Sequence, residues 1–247
     1  MAQALVLFSG GQDSSTCLAW ALSRFEIVET VGFNYGQRHS VELDCREAVR
    51  AGIAGLNDGW ARQLGQDHLL NLTTIAELGG SALTTGGEFK TAEGSLPAAF
   101  VPGRNIMFLT FAAAVAYHRG IQHLVGGMAE GPYPDCRDDT LKSLQVTLNL
   151  GMETNMVIHT PLMWHDKAGA WGMAEDLGGH ALVDLIRTDT HTCYAGDRTM
   201  LHDWGYGCGT CPACIKRADG WQRYAARLAD GLKHKATHPE LPAKSMR

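Results

Sequence analysis

Two stretches of this chain hold residue types at spacings that serve chemistry. The first is Phe8-Ser9-Gly10-Gly11-Gln12-Asp13-Ser14-Ser15-Thr16-Cys17-Leu18, which follows the apolar run Leu5-Val6-Leu7. Gly10 and Gly11 let the backbone turn tightly and let a ligand approach with no side chain in the way. Ser14 and Ser15 are placed to cap a helix, whose N-terminus offers free N–H groups and a positive dipole end to an anion. The stretch is therefore a candidate cradle for phosphate. It is neither Gly-x4-Gly-Lys-Ser/Thr nor the Gly-x-Gly-x-x-Gly of dinucleotide folds. A plain strand–turn–helix joint is the alternative, although a mere turn needs no such pair of glycines.

The second stretch is Cys208-Gly-Thr-Cys211-Pro-Ala-Cys214, with Cys193 fourteen intervening residues upstream. Four thiolates make a closed tetrahedral zinc site, and the two-residue gaps let one knuckle wrap the ion. Gly205, Gly207 and Gly209 give the chain room to turn there. A three-cysteine iron–sulfur cluster is the rival reading, but it would leave Cys193 without a role. With the shell closed, the expected part is structural. Cys17, Cys45 and Cys136 stand apart, and Cys45 falls on an apolar helical face.

The elements that must position these groups alternate between strand and helix patterns, which predicts a parallel sheet with crossover helices. Expected strands are Leu5–Phe8, Ile27–Phe33, His68–Leu72, His123–Gly126 and Met156–His159. Expected helices are Ser14–Arg24, Ser40–Leu56, Asn105–Arg119, Thr140–Leu150 and Lys167–Leu177. In the second helix Val41, Cys45, Ala48, Val49 and Leu56 form a stripe suited to a core. The connector Asn57–Gln66 has no regular pattern. Gly79–Pro102 is a long aperiodic stretch before Arg104 and reads as a lid. The alternation ends near Leu182. The expected organisation is an α/β domain over residues 1–185, an open parallel sheet with helices on both faces, and a zinc-binding helical tail over 186–247.

Composition excludes several classes. The 247 residues carry 21 basic and 26 acidic side chains, a net charge of −5, which fits poorly with an autonomous nucleic-acid binder. Mean hydropathy is −0.12 and no apolar run approaches a membrane span. The N-terminus lacks the basic region of a signal peptide. Seven cysteines, an odd number, suit a reducing compartment, so a cytoplasmic location is expected.

The string Ser9-Gly-Gly-Gln-Asp-Ser14 resembles the signature of the PP-loop ATP pyrophosphatases. Further segments narrow the likeness: Asn34-Tyr-Gly-Gln-Arg-His39, Val101-Pro-Gly-Arg-Asn105, Tyr133-Pro-Asp-Cys-Arg137, Thr192-Cys-Tyr194 and the final cysteine run. Together they are similar to the 7-cyano-7-deazaguanine synthases over nearly the whole chain. The resemblance implies an α/β fold of the adenine nucleotide α-hydrolase kind. It also implies conversion of 7-carboxy-7-deazaguanine to the nitrile with ammonia and ATP, on the route to queuosine. ATP would be the nucleotide substrate, Mg²⁺ its counter-ion and Zn²⁺ the tail metal. The partners implied are small molecules and a second copy of the chain, with no nucleic acid or membrane.

Residues Phe8 to Leu18 would then contact ATP. Asp13 is placed to bind metal or to brace the loop. Arg104 is a candidate for pairing with phosphate or the substrate carboxylate through its planar fork, against a surface ion pair. Lys167 is a candidate to reach phosphate. Asp135 and Arg137 suit a guanine-like edge or simply a turn, and Arg38 and His39 follow a strand's C-terminal end, where open sheets bind ligands. Two other functions compete. A tRNA thiolase would need Cys17 or Cys136 as a sulfur carrier, and a zinc-ribbon adaptor would leave the Ser-Gly-Gly loop unexplained.

Overall fold

The computed structural model describes residues 2–37, 41–78, 81–85 and 96–230. Arg38, His39 and much of Gly79–Pro102 lie outside these residues.

Five strands form one parallel sheet: β1 (Gln3–Leu7), β2 (Ile27–Asn34), β3 (Leu64–Asn71), β4 (His123–Val125) and β5 (Val157–His159), in the order β3-β2-β1-β4-β5. Because β1 is central and covered on both sides, its sequence is a continuous apolar run rather than an alternating one. Successive residues still go to opposite faces. Ala4, Val6 and Phe8 enter a core with α1 (Gln12–Leu22), α2 (Val41–Gly55) and α8 (Lys167–Asp189), whereas Leu5 enters one with α6 (Arg104–Arg119) and α7 (Asp138–Met152). Helices thus cover both faces.

The chain leaves β1 towards β2 and β3 on one side and later occupies β4 and β5 on the other. This change of direction opens a crevice beyond the C-terminal ends of β1 and β4, where open α/β sheets bind ligands. Gly127, just past β4, faces the first turn of α1 so closely that a Cβ there would lie 3.2 Å from Asp13 Cβ.

Several boundaries differ from the sequence reading. The connector after α2 contains a short helix, α3 (Asp58–Gln63), started by Asn57, whose side chain accepts from Trp60 N at 2.8 Å. Burial of Trp60 holds it against the core. β3 accordingly begins at Leu64, four residues before the expected start. In α2 the stripe is only partly as expected: Cys45 and Val49 are buried, Ala48 is exposed, and Arg46 turns inward instead. Single helical turns occupy α4 (Thr74–Glu77) and α5 (Ala82–Thr85).

The largest difference concerns α8. Its expected end at Leu177 precedes Gly178-Gly179, but the helix only kinks there, with Gly179 at φ 63°, and continues because Leu182, Val183 and Ile186 bury themselves in the core. The expected division after residue 185 therefore falls inside a helix. Beyond it come a small hairpin, β6 (Leu201–His202) with β7 (Gly205–Tyr206), and α9 (Pro212–Ala229). Tyr224 of α9 joins the same core as α1 and α8, so the tail packs back on the main sheet layer. Arg217, fully buried, ties the two together by donating to Ile186 O at 2.8 Å, Trp204 O at 2.9 Å and Thr192 Oγ1 at 2.8 Å. No helix among the described residues is long and apolar enough to cross a membrane.

Candidate active site and metal centre

The loop between β1 and α1 is built by its glycines in two different ways. Gly10 sits at φ 90°, the left-handed region that an L side chain rarely adopts, and a Cβ there would lie 2.6 Å from Glu42 O of α2. Gly11 starts α1, and its missing Cβ leaves room for Glu42 Oε1 at 2.6 Å and His191 O at 3.2 Å. Gly10 thus serves the turn and Gly11 the close approach.

Ser14 and Ser15 do not cap the helix as expected. Both lie within α1, and their hydroxyls bond back to Gly11 O at 3.1 and 2.8 Å, because the cap position itself is taken by Gly11. Ser14 Oγ also accepts from Ser9 N at 3.2 Å. These bonds stiffen the loop without covering the end of α1, which keeps its anion-attracting character. Gln12 is 1 % exposed, and neither atom of its amide has a partner among the described residues. Such a group costs free energy unless something else satisfies it, which fits a loop completed by a ligand.

Lys167 and Asp13, far apart in sequence, meet here: Nζ donates to both carboxylate oxygens, at 2.7 and 2.5 Å. Lys167 opens α8, whose N-cap Asp166 accepts from Gly169 N at 2.7 Å. Asp13 is thereby braced, and Lys167 stands at the first turn of α1. Cys17, also in the motif, is fully buried and its thiol is pushed far up by burial and by the Asp13 charge. Its side chain belongs to the core and supplies no reactive thiolate. Leu18 and Phe8 are core residues as well.

Beside the loop lies a second cluster. Arg104 begins α6 with its guanidinium 5.7 Å from the Tyr35 ring and 5.9 Å from Phe108, and its Nε is buried without a partner among the described residues. Among the described residues its surroundings are aromatic rather than those of a surface ion pair. Phe33 stacks on Phe108 at 4.4 Å, and Phe100 faces Tyr133 at 6.1 Å. The Tyr133 and Tyr194 hydroxyls share a hydrogen bond, and burial pushes the Tyr194 hydroxyl up. Asp135 Oδ2 accepts from Asn105 N at 3.0 Å and so holds the start of α6. Arg137 is exposed at the start of α7. Cys136, partly buried, has its thiol raised to about 11 by burial and by Asp135, which leaves it a weak nucleophile.

Glu42, which the sequence reading passed over, joins these halves. Its Oε1 accepts from Ser9 Oγ at 2.9 Å, and the Arg104 charge also acts on it. Burial nonetheless raises this carboxyl to about 7. Tyr35, Tyr133 and Tyr194 were likewise unassigned. Their signal lay in the motifs Asn34–His39, Tyr133–Arg137 and Thr192–Tyr194.

The four sulfurs of Cys193, Cys208, Cys211 and Cys214 all lie within 4.8 Å of one another. A tetrahedron with metal–sulfur bonds of about 2.3 Å has edges of about 3.8 Å, so the donor set suits one zinc-sized ion. Cys208 N and Cys211 N point at the Cys193 and Cys208 sulfurs, at 3.4 and 3.3 Å, in the manner of a knuckle. Donation from the Cys214 thiol, with further N–H donors, holds the Cys211 thiol well below its usual range, ready to ligate as thiolate. Gly205 and Gly209 have φ of 116° and 74°, as turns require, whereas Gly207 is needed for space, since a Cβ there would sit 2.6 Å from Cys214 Sγ. Tyr194 follows a ligand directly, so the knuckle also fixes a wall of the Arg104 cluster.

A parallel sheet with a glycine-bearing loop at its topological switch and a neighbouring Arg-and-tyrosine cluster define an open α/β fold with a candidate site at its strand ends. Residues 3–225 match the family model described as queuosine biosynthesis protein QueC, and the chain belongs to that family. It is 63% identical over 230 residues to 7-cyano-7-deazaguanine synthase 2 of Sphingopyxis alaskensis, covering 92% of this chain and 98% of that protein. It is also 63% identical over 231 residues to the 7-cyano-7-deazaguanine synthase of Azorhizobium caulinodans, covering 92% and 96%. Among solved structures, a 4-thiouridine synthetase–RNA complex with bound ATP aligns at 18% identity and a TM-score of 0.49, covering 93% of this chain and 51% of that one; the likeness is too loose to carry an argument.

Proposed function

We propose that this chain is an ATP-dependent ligase that converts 7-carboxy-7-deazaguanine and ammonia to 7-cyano-7-deazaguanine. The observation that carries the reading is the juxtaposition of the open α1 terminus with the Arg104 cluster, within a chain of this family. A carboxylate resists amines because oxide is a poor leaving group. Transfer of AMP to its oxygen creates an acyl adenylate that ammonia can attack, releasing the amide and AMP. A second adenylation, on the amide oxygen, lets AMP leave and completes the carbon–nitrogen triple bond.

Each protein group has a part in this scheme. Ser9, Gly10, Gly11, Gln12, Ser14 and Ser15 hold the pyrophosphate portion of ATP at the end of α1. Lys167 supplies positive charge beside it and is held in place by Asp13. Arg104 pairs with the substrate carboxylate, its guanidinium oriented between aromatic rings, and Tyr133 and Tyr194 border the base. Holding the carboxylate oxygen in line with the α-phosphorus is the main catalytic contribution of such a site. Mg²⁺ enters with the nucleotide and offsets phosphate charge. Cys193, Cys208, Cys211 and Cys214 would hold one zinc with four thiolates, which would leave no open position for catalysis at the metal.

Two further expectations accompany this reading: a homodimer, which light scattering would check, and a cytoplasmic location, which fractionation would check. The function itself is tested by incubating the protein with the carboxylate, ammonia and ATP in the absence of tRNA. The expected products are the nitrile with two AMP and two pyrophosphate, and the amide offered alone should consume one ATP. Direct release of ADP and phosphate would refute the scheme.

A further inference from the structure

The scheme above leaves one requirement without a residue. Nitrogen enters as ammonia and ends as a nitrile, so every N–H proton must be removed. When ammonia's lone pair forms the C–N bond and the C–O pair departs with AMP, the nitrogen is left with an extra proton. In the second round the amide oxygen attacks the α-phosphorus, pyrophosphate leaves with the P–O pair, and the nitrogen of the adenylated amide holds two protons. One passes to solvent. The other must leave as its N–H electron pair becomes the third C–N bond and the C–O pair departs with AMP.

We propose that Glu42 is the proton acceptor in these nitrogen-centred steps, a role that rests on the adenylation reading given above. Its carboxylate accepts from Ser9 Oγ at 2.9 Å in the loop, lies against Gly11, where a Cβ would come within 2.6 Å of Oε1, and feels the charge of Arg104. The α-phosphorus, and with it the acyl carbon, must lie between the loop and Arg104. Among the described residues, two other carboxylates near the crevice are occupied. Asp13 is held by Lys167, and Asp135 holds the N-terminus of α6. Burial pushes the Tyr35 and Tyr194 hydroxyls and the Cys17 thiol away from neutral titration.

Ser9 from the loop, Arg46 and Cys45 from its own helix, Arg104 from α6, Asp13 from α1 and Tyr35 after β2 all interact electrostatically with Glu42. Ser9 and the two arginines favour the carboxylate, burial and Asp13 the acid, and the balance places its titration at about 7. A base with that property is half in its working form at neutral pH and accepts a proton readily. The accepting form gains as pH rises, so amide conversion should rise with pH through about 7.

The test separates the two kinds of chemistry in the full-length protein. Adenylation is read as ATP–pyrophosphate exchange dependent on 7-carboxy-7-deazaguanine, and nitrogen chemistry as conversion of the amide to the nitrile. Glu42→Gln keeps an acceptor for Ser9. It should leave exchange within about threefold while lowering amide conversion at least about 100-fold, the usual weight of a general base. Glu42→Asp should restore part of that loss, and the pH dependence near 7 should vanish in the Gln variant. Parallel loss of exchange and amide conversion, or unimpaired nitrile formation, would overturn the assignment. Should the Gln variant not fold, a wild-type amide-conversion profile flat between pH 6 and 8 would overturn it too, the range being set roughly one unit either side of such a base. Absence of exchange in the wild type would instead bring down the adenylation reading, and this proposal with it.

Discussion

The glycine-bearing loop and the cysteine knuckle each gather several side chains around one point, yet they are assembled by opposite means. The knuckle takes three of its four sulfurs from a seven-residue span, Cys208 to Cys214, and its N–H groups already point at sulfur. The loop depends on chain segments distant in sequence: Glu42 from α2, Lys167 from α8 and the carbonyl of His191 all close around Gly11 and Asp13. A local site is secured by ligand number, a distributed one by how accurately the fold docks its helices. The knuckle should therefore fail through loss of structure and the loop through loss of chemistry.

The largest effect is expected in the knuckle. Cys208→Ser should lose the metal, and with it much of the roughly 10 kcal/mol that structural zinc contributes to folding its own segment. Elemental analysis and solubility would check this. A soluble, fully active Cys208→Ser protein without zinc would remove the contrast altogether. Gly11→Val comes next. The branched side chain would meet Glu42 Oε1 and His191 O, and it would stand where phosphate must approach. Turnover should drop below detection while the melting temperature moves by only a few degrees, about 2–4 °C per kcal/mol in a chain of this size. Wild-type turnover in a folded Gly11→Val protein would end the phosphate-loop assignment.

Smaller effects sharpen the same contrast. Lys167→Met should weaken ATP binding by about 10- to 100-fold, the worth of a hydrogen bond to a charged group. Equilibrium binding of ATP measures it, and unchanged affinity would mean that Lys167 only braces Asp13. Cys17→Ala should change turnover least of all, within about threefold, and cost about 1 kcal/mol of stability, as for a small buried side chain. Loss of activity without loss of stability would revive a sulfur-carrier role for that thiol.

Legibility followed the same division. The four cysteines could be read as one site because local spacing encodes most of a knuckle. The loop motif could be read because a strand, two glycines and a helix start are contiguous. Lys167 and Asp13 could each be named from the sequence, but their pairing could not, since they lie 154 residues apart. Glu42 was hidden inside a helix whose pattern spoke only of packing, and its importance comes from what α2 leans on. The helix stop expected at Gly178-Gly179 did not occur because burial of Leu182 and Ile186 outweighed local glycine preference.

What the amino-acid sequence determined by itself was the alternation of apolar runs that makes a parallel sheet, the glycine-bearing loop after its first strand, and the cysteine set of the tail. Each is encoded by neighbours in the chain, where backbone freedom and ligand spacing act directly. Only the tertiary structure decided that Asp13 is braced by Lys167, that Asp135 holds the start of α6 and that Glu42 accepts from Ser9 of the loop. Those relations depend on how helices on both faces of the sheet dock at its C-terminal edge, and docking is set by the summed burial of two cores rather than by any local run of residues.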